Sequence, residues 1–174
     1  MSVGGSQPFG LNDVTVTNIG ATADADLPDA QTLTFNPRIN SAELSGDDKI
    51  AAVSSRVVAL DWELEAGGID LDAYAIITGY TVASSGTTPS QQDELQFDGA
   101  KCLPYFSIFG KALGSDCTDD IHVLIYKAKC TQMEGQLKDG EFFITKCKGV
   151  AIDGGTHGVV EIIQHETAAA LPAV

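Results

Sequence analysis

Basic residues and long apolar segments are both scarce in this sequence. Lysine and arginine together number 10 against 24 aspartates and glutamates in 174 residues, so the formal net charge is −14. Gripping nucleic acid through its phosphates needs a positive surface, and this composition does not supply one. The longest apolar runs, such as 57–60 and 73–77, are far shorter than the roughly 20 residues of a transmembrane helix. The N-terminal segment MSVGGSQPFG lacks the basic and apolar regions of a secretory signal, so we expect synthesis and folding in a cytosol.

Closely spaced metal-ligand pairs and nucleophile motifs are missing as well. The four cysteines are far apart and form no CxxC pair: Cys102, Cys117, Cys130 and Cys147. A structural zinc site usually needs such pairs, and reduced thiols are the rule in a cytosol. His122 follows Asp119 and Asp120, which is the order of a carboxylate–imidazole relay, but no GxSxG-type motif accompanies it. A histidine at a strand edge is the simpler interpretation, so we expect no catalytic residue, no metal and no cofactor.

The clearest pattern in the sequence is a strand in the middle of the chain. Residues 58–65 alternate between apolar and acidic side chains, which is the period-2 signal of a half-buried strand. Its acidic face carries Asp61, Glu63 and Glu65, and its apolar face carries Val58, Leu60, Trp62 and Leu64. Like charges side by side on one strand face are destabilising. The carboxylates therefore face either plain solvent or a functional water-filled space.

A long hairpin precedes this acidic face. Residues 32–44 are rich in β-forming side chains, and Pro37 within them predicts a sheet edge or a bulge, because proline cannot donate to a ladder. Glycine and aspartate favour turns, so we predict a hairpin tip at Ser45, Gly46, Asp47, Asp48 and Lys49. After the second strand, glycines at 67 and 68 end the β pattern. Residues 69–78 predict a helix with acidic residues in its first turn and Gly79 just after its end.

The rest of the chain predicts strands joined by turns, with an arm at each end. Residues 1–30 predict an extended arm with one short strand, and residues 167–174 predict a frayed or docking tail. Residues 81–92 are polar and predict a loop; within it lie Ser84, Ser85, Gly86, Thr87, Thr88 and Pro89. Further strands are predicted at 103–112, 120–131, 140–152 and 158–166, with a loop around 132–139. Lysines on two of these strands are interpreted as partners in ion pairs between subunits or as solvated ends.

Several segments, taken in order, resemble the major tail protein, or tail tube protein, of long-tailed bacteriophages. They are ELSGDDKIAAV, WELEAGGIDLDAYAIITG, PYFSIFGKALG, IHVLIYKAKC, GEFFITKCKGVAID and GVVEIIQHET. The resemblance implies a mainly β subunit with a β-sandwich or barrel-like fold, one flanking α-helix and a single domain spanning 1–174. It also implies copies of the chain in stacked rings, commonly hexameric, that form a hollow tube. DNA is ejected through such a tube into the host without specific binding.

The resemblance extends to partners and location. It implies contacts with a tape measure protein and with tail terminator or tip proteins, a place in the virion tail, and assembly in the bacterial cytoplasm without a membrane. On this view Asp61, Glu63 and Glu65 face the channel. The hairpin tip 45–49 and the loop residues 84–89 then contact neighbouring subunits or rings.

Two other classes of function stay open at this point. The first is a soluble, acidic β-sandwich that binds a ligand or partner as a module. The second is an enzyme, which would need an acid and a base converging in a cleft. Asp61 and Glu63 are the only tempting pair for that role, and their alternation along one strand fits a repeated wall better than a pocket.

Overall fold

The computed structural model describes residues 7–20, 23–27, 29–46, 48–115 and 118–172. The fold is mainly β with a large antiparallel sheet, as the sequence predicts, and the described residues contain one helix. The elements in chain order are β1 (Asp13–Asn18), β2 (Asp24–Asp26), β3 (Ala30–Gly46), β4 (Lys49–Gly67), α1 (Leu71–Thr78), β5 (Val82–Ser85), β6 (Gln92–Leu95), β7 (Phe106–Leu113), β8 (Asp120–Gln136), β9 (Ile144–Ala151) and β10 (Glu161–His165).

The large sheet has the strand order β2-β1-β7-β8-β9-β4-β3, and β10 pairs with the first part of β8. It curls back on itself, because side chains from distant strands in this order meet in one core. Trp62 of β4 packs edge-on against Phe106 of β7, with ring centroids 5.6 Å apart. Leu33 of β3 lies so close to Gly110 of β7 that a Cβ there would be 2.5 Å from the Leu33 Cδ2 atom.

Helix α1 closes one side of the core. Asp70 caps its N-terminus, and the Asp70 carboxylate accepts the backbone N–H groups of Asp72 and Ala73 at 2.8 and 3.1 Å. Gly79 ends the helix in the left-handed conformation, with φ of 75°. The helix packs against β1, β2 and β8, and its buried apolar residues are Ala73, Ile76 and Ile77. The predicted helix is therefore confirmed, with a start two residues later than expected because Asp70 is the cap. No helix in the described part of the chain is both long and apolar enough to span a membrane.

Strand β3 forms the free edge of the sheet, as Pro37 predicted. Pro37 lies opposite Leu60, and the pairing register shifts just after it, between Arg38 and Ile39. This shift leaves Val58 without a pairing partner on β3. The prediction that Val58 belongs to the core face was wrong: its side chain is 41% exposed, whereas Leu60, Trp62 and Leu64 are buried. The bulge interrupts the period-2 alternation, and sequence alternation alone does not reveal a bulge.

Several predicted boundaries need correction. Residues 81–92 are not a loop: they contain β5 and the first residue of β6, which pair as a small separate hairpin. The strand predicted to end at Thr131 continues to Gln136, so the loop predicted around 132–139 is shorter. The described part of the N-terminal arm is built into the sheet, since β1 lies between β2 and β7 and its Val14 and Val16 are fully buried. Each of these segments carries polar or mixed side chains, so a hydrophobicity pattern does not reveal its strand pairing.

The C-terminal segment also docks on its own subunit. The backbone N–H of Ala168 donates to the Thr118 carbonyl at 2.9 Å, and that of Ala169 donates to the Asp120 carboxylate at 2.7 Å. The thiols of Cys130 and Cys147 are buried and free, and that of Cys102 is exposed and free. Cys117 lies outside the described residues.

Candidate assembly surfaces

Asp61, Glu63 and Glu65 lie on the side of β4 that points away from the core. Each alternates with a buried neighbour, so one side of the strand faces the core and the other faces solvent. The three carboxylates have cross-strand neighbours on β3 and on β9. The geometry of this side therefore agrees with the predicted alternation.

Basic side chains are interleaved with these carboxylates within the same subunit. Arg38 forms a two-pronged contact with Asp61, with its closest N–O distance at 2.5 Å. Lys148 lies directly opposite Glu63, and Lys146 lies opposite Glu65 and forms an ion pair with it. The hydrogen bond to Glu65 raises the pKa of Lys146, and the nearby carboxylates of Glu63 and Glu134 add to that effect.

We call this side of the sheet the charged face, defined by Arg38, Asp61, Glu63, Glu65, Lys146 and Lys148. Its three carboxylates are matched by three basic groups. The interpretation of the lysines as partners between subunits was wrong for Lys146, which pairs within its own chain. Sequence reasoning missed this ion pair because Lys146 and Glu65 are 81 residues apart in the chain. The charged face is therefore a mixed-sign surface rather than an unbroken acidic one.

Beyond the point where β9 ends, β3 and β4 continue as a two-stranded ribbon. Strand β9 covers β4 only from Leu60 to Gly67, so residues 38–46 and 49–59 pair only with each other. Nearly all side chains described in this ribbon are exposed. We call this element the projecting ribbon. Its outer edges carry backbone N–H and C=O groups that no other described strand uses.

One side of the projecting ribbon carries a row of aliphatic side chains. Leu33 and Phe35 pack against the core, and the alternation of β3 carries the same side outward through Ile39. Directly opposed residues of an antiparallel pair share a face, so the partners of that side belong to it too. We call this row the aliphatic stripe; it consists of Ile39, Ile50, Val53 and Val57, with exposed fractions of 62%, 59%, 61% and 49%. The stripe continues the core face into solvent.

The predicted hairpin tip is close to where the sequence placed it. Ser45 pairs with Ile50 and Gly46 with Lys49, so the connection consists of residues 47 and 48. Asp48 has a φ of 59°, in the left-handed region that aspartate tolerates better than most residues. Asp47 lies outside the described residues. The tip stands at the far end of the projecting ribbon, away from the core.

The predicted loop residues Ser84–Pro89 belong to the β5–β6 hairpin beside α1. The Ser84 hydroxyl donates to the Asp93 carboxylate at 2.5 Å across the hairpin. Gly86 has a φ of 82°, and a Cβ there would lie 2.4 Å from the Ser90 carbonyl oxygen, so this turn requires glycine. Thr87, Thr88 and Pro89 form the exposed connection. The structure does not bring this hairpin together with the ribbon tip in one site.

Sequence reasoning missed the exposed apolar side chains that mark surfaces in need of cover. The aliphatic stripe is one group, and the β8–β9 connection is another, with Leu137 at 83% exposed and Phe142 at 96%. Large apolar side chains gathered at the surface mark interaction sites. The sequence did carry one signal for the stripe, which was the length of β3 and β4, at 17 and 19 residues. Strands of this length extend beyond the core of their own subunit.

Comparison with known proteins finds likenesses among solved structures. The chain is similar to a chain in the cryo-EM structure of the anti-feeding prophage (AFP) baseplate, 6-fold symmetrised, with a TM-score of 0.44 and 9% sequence identity. The alignment covers 94% of this chain and 97% of that chain. No family model matches the chain, and no curated protein matches it.

Proposed function

We propose that this chain is a structural subunit that assembles with copies of itself into stacked rings, forming a hollow tube of the phage-tail kind. The observation that carries the proposal is the projecting ribbon with its aliphatic stripe. The part of the hairpin beyond Leu60 pairs with no other described strand, because β9 covers β4 only from Leu60 to Gly67. A two-stranded hairpin is marginally stable alone. A neighbouring subunit would supply the missing cover.

The energetics favour cover by a second copy. Apolar surface removed from water contributes about 25 cal/mol per Å², and the stripe presents four aliphatic side chains that are each about half exposed or more. The free edge of β3 adds unpaired backbone groups that a neighbouring strand can use. Such a head-to-tail contact joins different patches on the two copies, so it closes into a ring when its rotation permits. Residues 45–49 and 84–89 are proposed as contacts between subunits or between rings.

The charged face is proposed to line the bore. Asp61, Glu63 and Glu65 point away from the core, and in a closed ring the outward side of an inner sheet faces the channel. Because Arg38, Lys146 and Lys148 lie among them, and Glu134 lies opposite Lys146 on β8, the wall would carry both signs of charge rather than acidic groups alone. A mixed-sign wall binds phosphates weakly and repels them weakly, so a duplex can slide. This replaces the purely acidic belts that the strand pattern alone suggested.

The finer features of the proposal follow from the sequence resemblance. They are hexameric rings, ejection of DNA through the bore, and contacts with a tape measure protein and with tail terminator or tip proteins. They also include a location in the virion tail after assembly in the bacterial cytoplasm. None of these features requires a cofactor, a membrane or a catalytic group.

Electron microscopy of negatively stained, purified protein tests the proposal, with light scattering as a second measurement of assembly. Val57→Asp and Ser54→Asp form a matched pair, because they add the same charge on opposite sides of the ribbon and each lies opposite an uncharged residue of β3. We expect tubes or rings from the parent chain and from Ser54→Asp, and monomers that stay folded by circular dichroism from Val57→Asp. Equal assembly of both variants would remove the stripe from the interface. Featureless monomers of the parent chain that bind a ligand would favour a binding module instead.

The role of the bore needs a separate variant. Replacing Asp61, Glu63 and Glu65 together by lysine converts the charged face from balanced to strongly basic, and Glu94→Lys on the exposed β6 strand is a control at a distance. Tubes of the triple variant should retain DNA, and added salt should release it, because exposed charges act over about 8 Å at physiological salt. A tube map with these carboxylates on the outer surface would contradict the assignment.

A further inference from the structure

Three titratable side chains that play no part in the proposed tube wall meet at one end of the sheet. Asp120 and His122 lie two residues apart on β8 and share a face, and His165 lies opposite Asp120 at the end of β10. The rings of His122 and His165 are in contact, with centroids 4.5 Å apart and planes tilted by 55°. One potential ligand atom from each of the three residues lies within 4.8 Å of those from the other two. Strand pairing thus joins residues that are 43 and 45 positions apart.

The cluster is buried and incompletely satisfied. Asp120 and His122 are 0% and 1% exposed. The Oδ1 atom of Asp120 and the Nε2 atom of His122 have no hydrogen-bond partner. The Nε2 atom lies 3.3 Å from Oδ2 of Asp120, but the orientation does not make a hydrogen bond. Buried polar atoms without partners cost free energy and require an explanation.

The other side of Asp120 is firmly held. Its Oδ2 atom accepts the Ala169 N–H at 2.7 Å and lies 3.3 Å from Lys111 Nζ, which also donates to the Ala169 carbonyl. Burial alone would raise the pKa of Asp120, but the Ala169 amide, Lys111 and His122 together lower it. Burial lowers the pKa of His122, more than Asp120 raises it. At neutral pH the pair is therefore a carboxylate beside a neutral imidazole, which are the protonation states that ligate metals.

We propose that Asp120, His122 and His165 bind a divalent transition metal ion, of which zinc is the best match. Two imidazoles and one carboxylate are donors that zinc accepts. Zinc bonds of about 2.0–2.1 Å in tetrahedral geometry place two ligand atoms roughly 3.3 Å apart, and Oδ2 of Asp120 and Nε2 of His122 have that separation. The ion would give a partner to the orphaned Nε2 atom of His122, and water or an added ligand would fill its fourth position.

A metal here would tie together parts of the chain that are far apart in sequence. It would link the start of β8 to the end of β10, and through Asp120 to the C-terminal segment at Ala169. Such an ion would add to the stability of this end of the sheet. The Lys111 ammonium repels a cation, so it weakens binding without preventing it.

Metal-free protein prepared with a chelator and titrated with Co²⁺ is the direct test, since tetrahedral Co²⁺ with nitrogen ligands absorbs visible light. We expect one Co²⁺ per chain, displaced by Zn²⁺, and a rise in melting temperature when Zn²⁺ is added. His165→Gln and His122→Gln should lose both effects. His157→Gln is the matched control, because His157 is a half-exposed histidine that pairs with Glu161 outside the cluster. It should bind like the parent chain.

Lys111→Met sharpens the result by removing the competing cation, and it should bind Co²⁺ several-fold more tightly. If His122→Gln fails to fold, His165→Gln still decides the question, because His165 is only partly buried. No absorption and no thermal shift in the folded parent chain would overturn the proposal, as would equal binding by His165→Gln and His157→Gln. Because the readouts come from individual chains, a failure of tube assembly leaves them unaffected.

Discussion

The two halves of strand β4 have similar compositions of apolar and polar residues but opposite environments. From Leu60 to Ala66, β9 covers one edge and the core covers one face, so Leu60, Trp62 and Leu64 are at most 3% exposed. From Lys49 to Val58, the strand pairs only with β3 and its aliphatic side chains are largely exposed. The core half is complete within one chain. The ribbon half has the apolar face of a core strand without the core, which is the physical reason for proposing a second copy as its cover.

Truncating the core half should have the largest effect on stability. Trp62 is 2% exposed and packs edge-on against Phe106, so Trp62→Ala leaves a cavity that the curled sheet cannot close. We expect a loss of about 3–5 kcal/mol in the free energy of unfolding, measured by urea denaturation of the monomer. A loss under about 1 kcal/mol would mean that the core half is less tightly packed than its burial implies.

Adding a side chain at Gly149, where β9 pairs with β8, should have the next largest effect on stability. A Cβ at Gly149 would lie 1.9 Å from the Lys129 carbonyl oxygen and 2.9 Å from the Trp62 ring. Because the first contact is to backbone, Gly149→Ala must move a strand, and we expect a loss of about 1–3 kcal/mol. No positive φ is involved at Gly149, so the loss would come from this clash alone. A loss under about 0.5 kcal/mol would contradict the packing argument.

The same contrast explains what could be predicted from sequence. The core half of β4, the helix and the glycine at its end were predicted because their signals are local: period-2 alternation, acidic residues near the helix start and a C-terminal glycine. The bulge at Val58, the pairing of Lys146 with Glu65, and the meeting of His122 with His165 were not predicted. Each depends on which strands become neighbours, and a single sequence carries no direct record of that pairing. The projecting ribbon was predicted as a hairpin but not as one that leaves the core.

The charged face should contribute much less than the core beneath it. Arg38 and Asp61 form an exposed pair, with side chains 54% and 47% accessible. A double-mutant cycle with Arg38→Ala and Asp61→Ala should give a coupling of about 0.2–1 kcal/mol. The coupling should shrink in 1 M salt, where the screening length is about 3 Å. A coupling that persists at high salt would indicate a pair held by something other than charge.

Truncating the ribbon half should have the smallest effect on the monomer and a decisive one on assembly. Val57 belongs to the aliphatic stripe, and about half of its surface is already exposed in the folded monomer, at 49%. Val57→Ala should therefore change the free energy of unfolding by no more than about 0.5 kcal/mol. In a ring the same side chain would be covered, and its loss would be repeated at every interface. Light scattering should then show a higher concentration threshold for assembly, while Ser54→Ala on the opposite side of the ribbon should leave that threshold unchanged. If Val57→Ala instead destabilises the monomer by more than about 1 kcal/mol, the ribbon is supported from within its own chain, and the difference between the two halves of β4 no longer implies a partner.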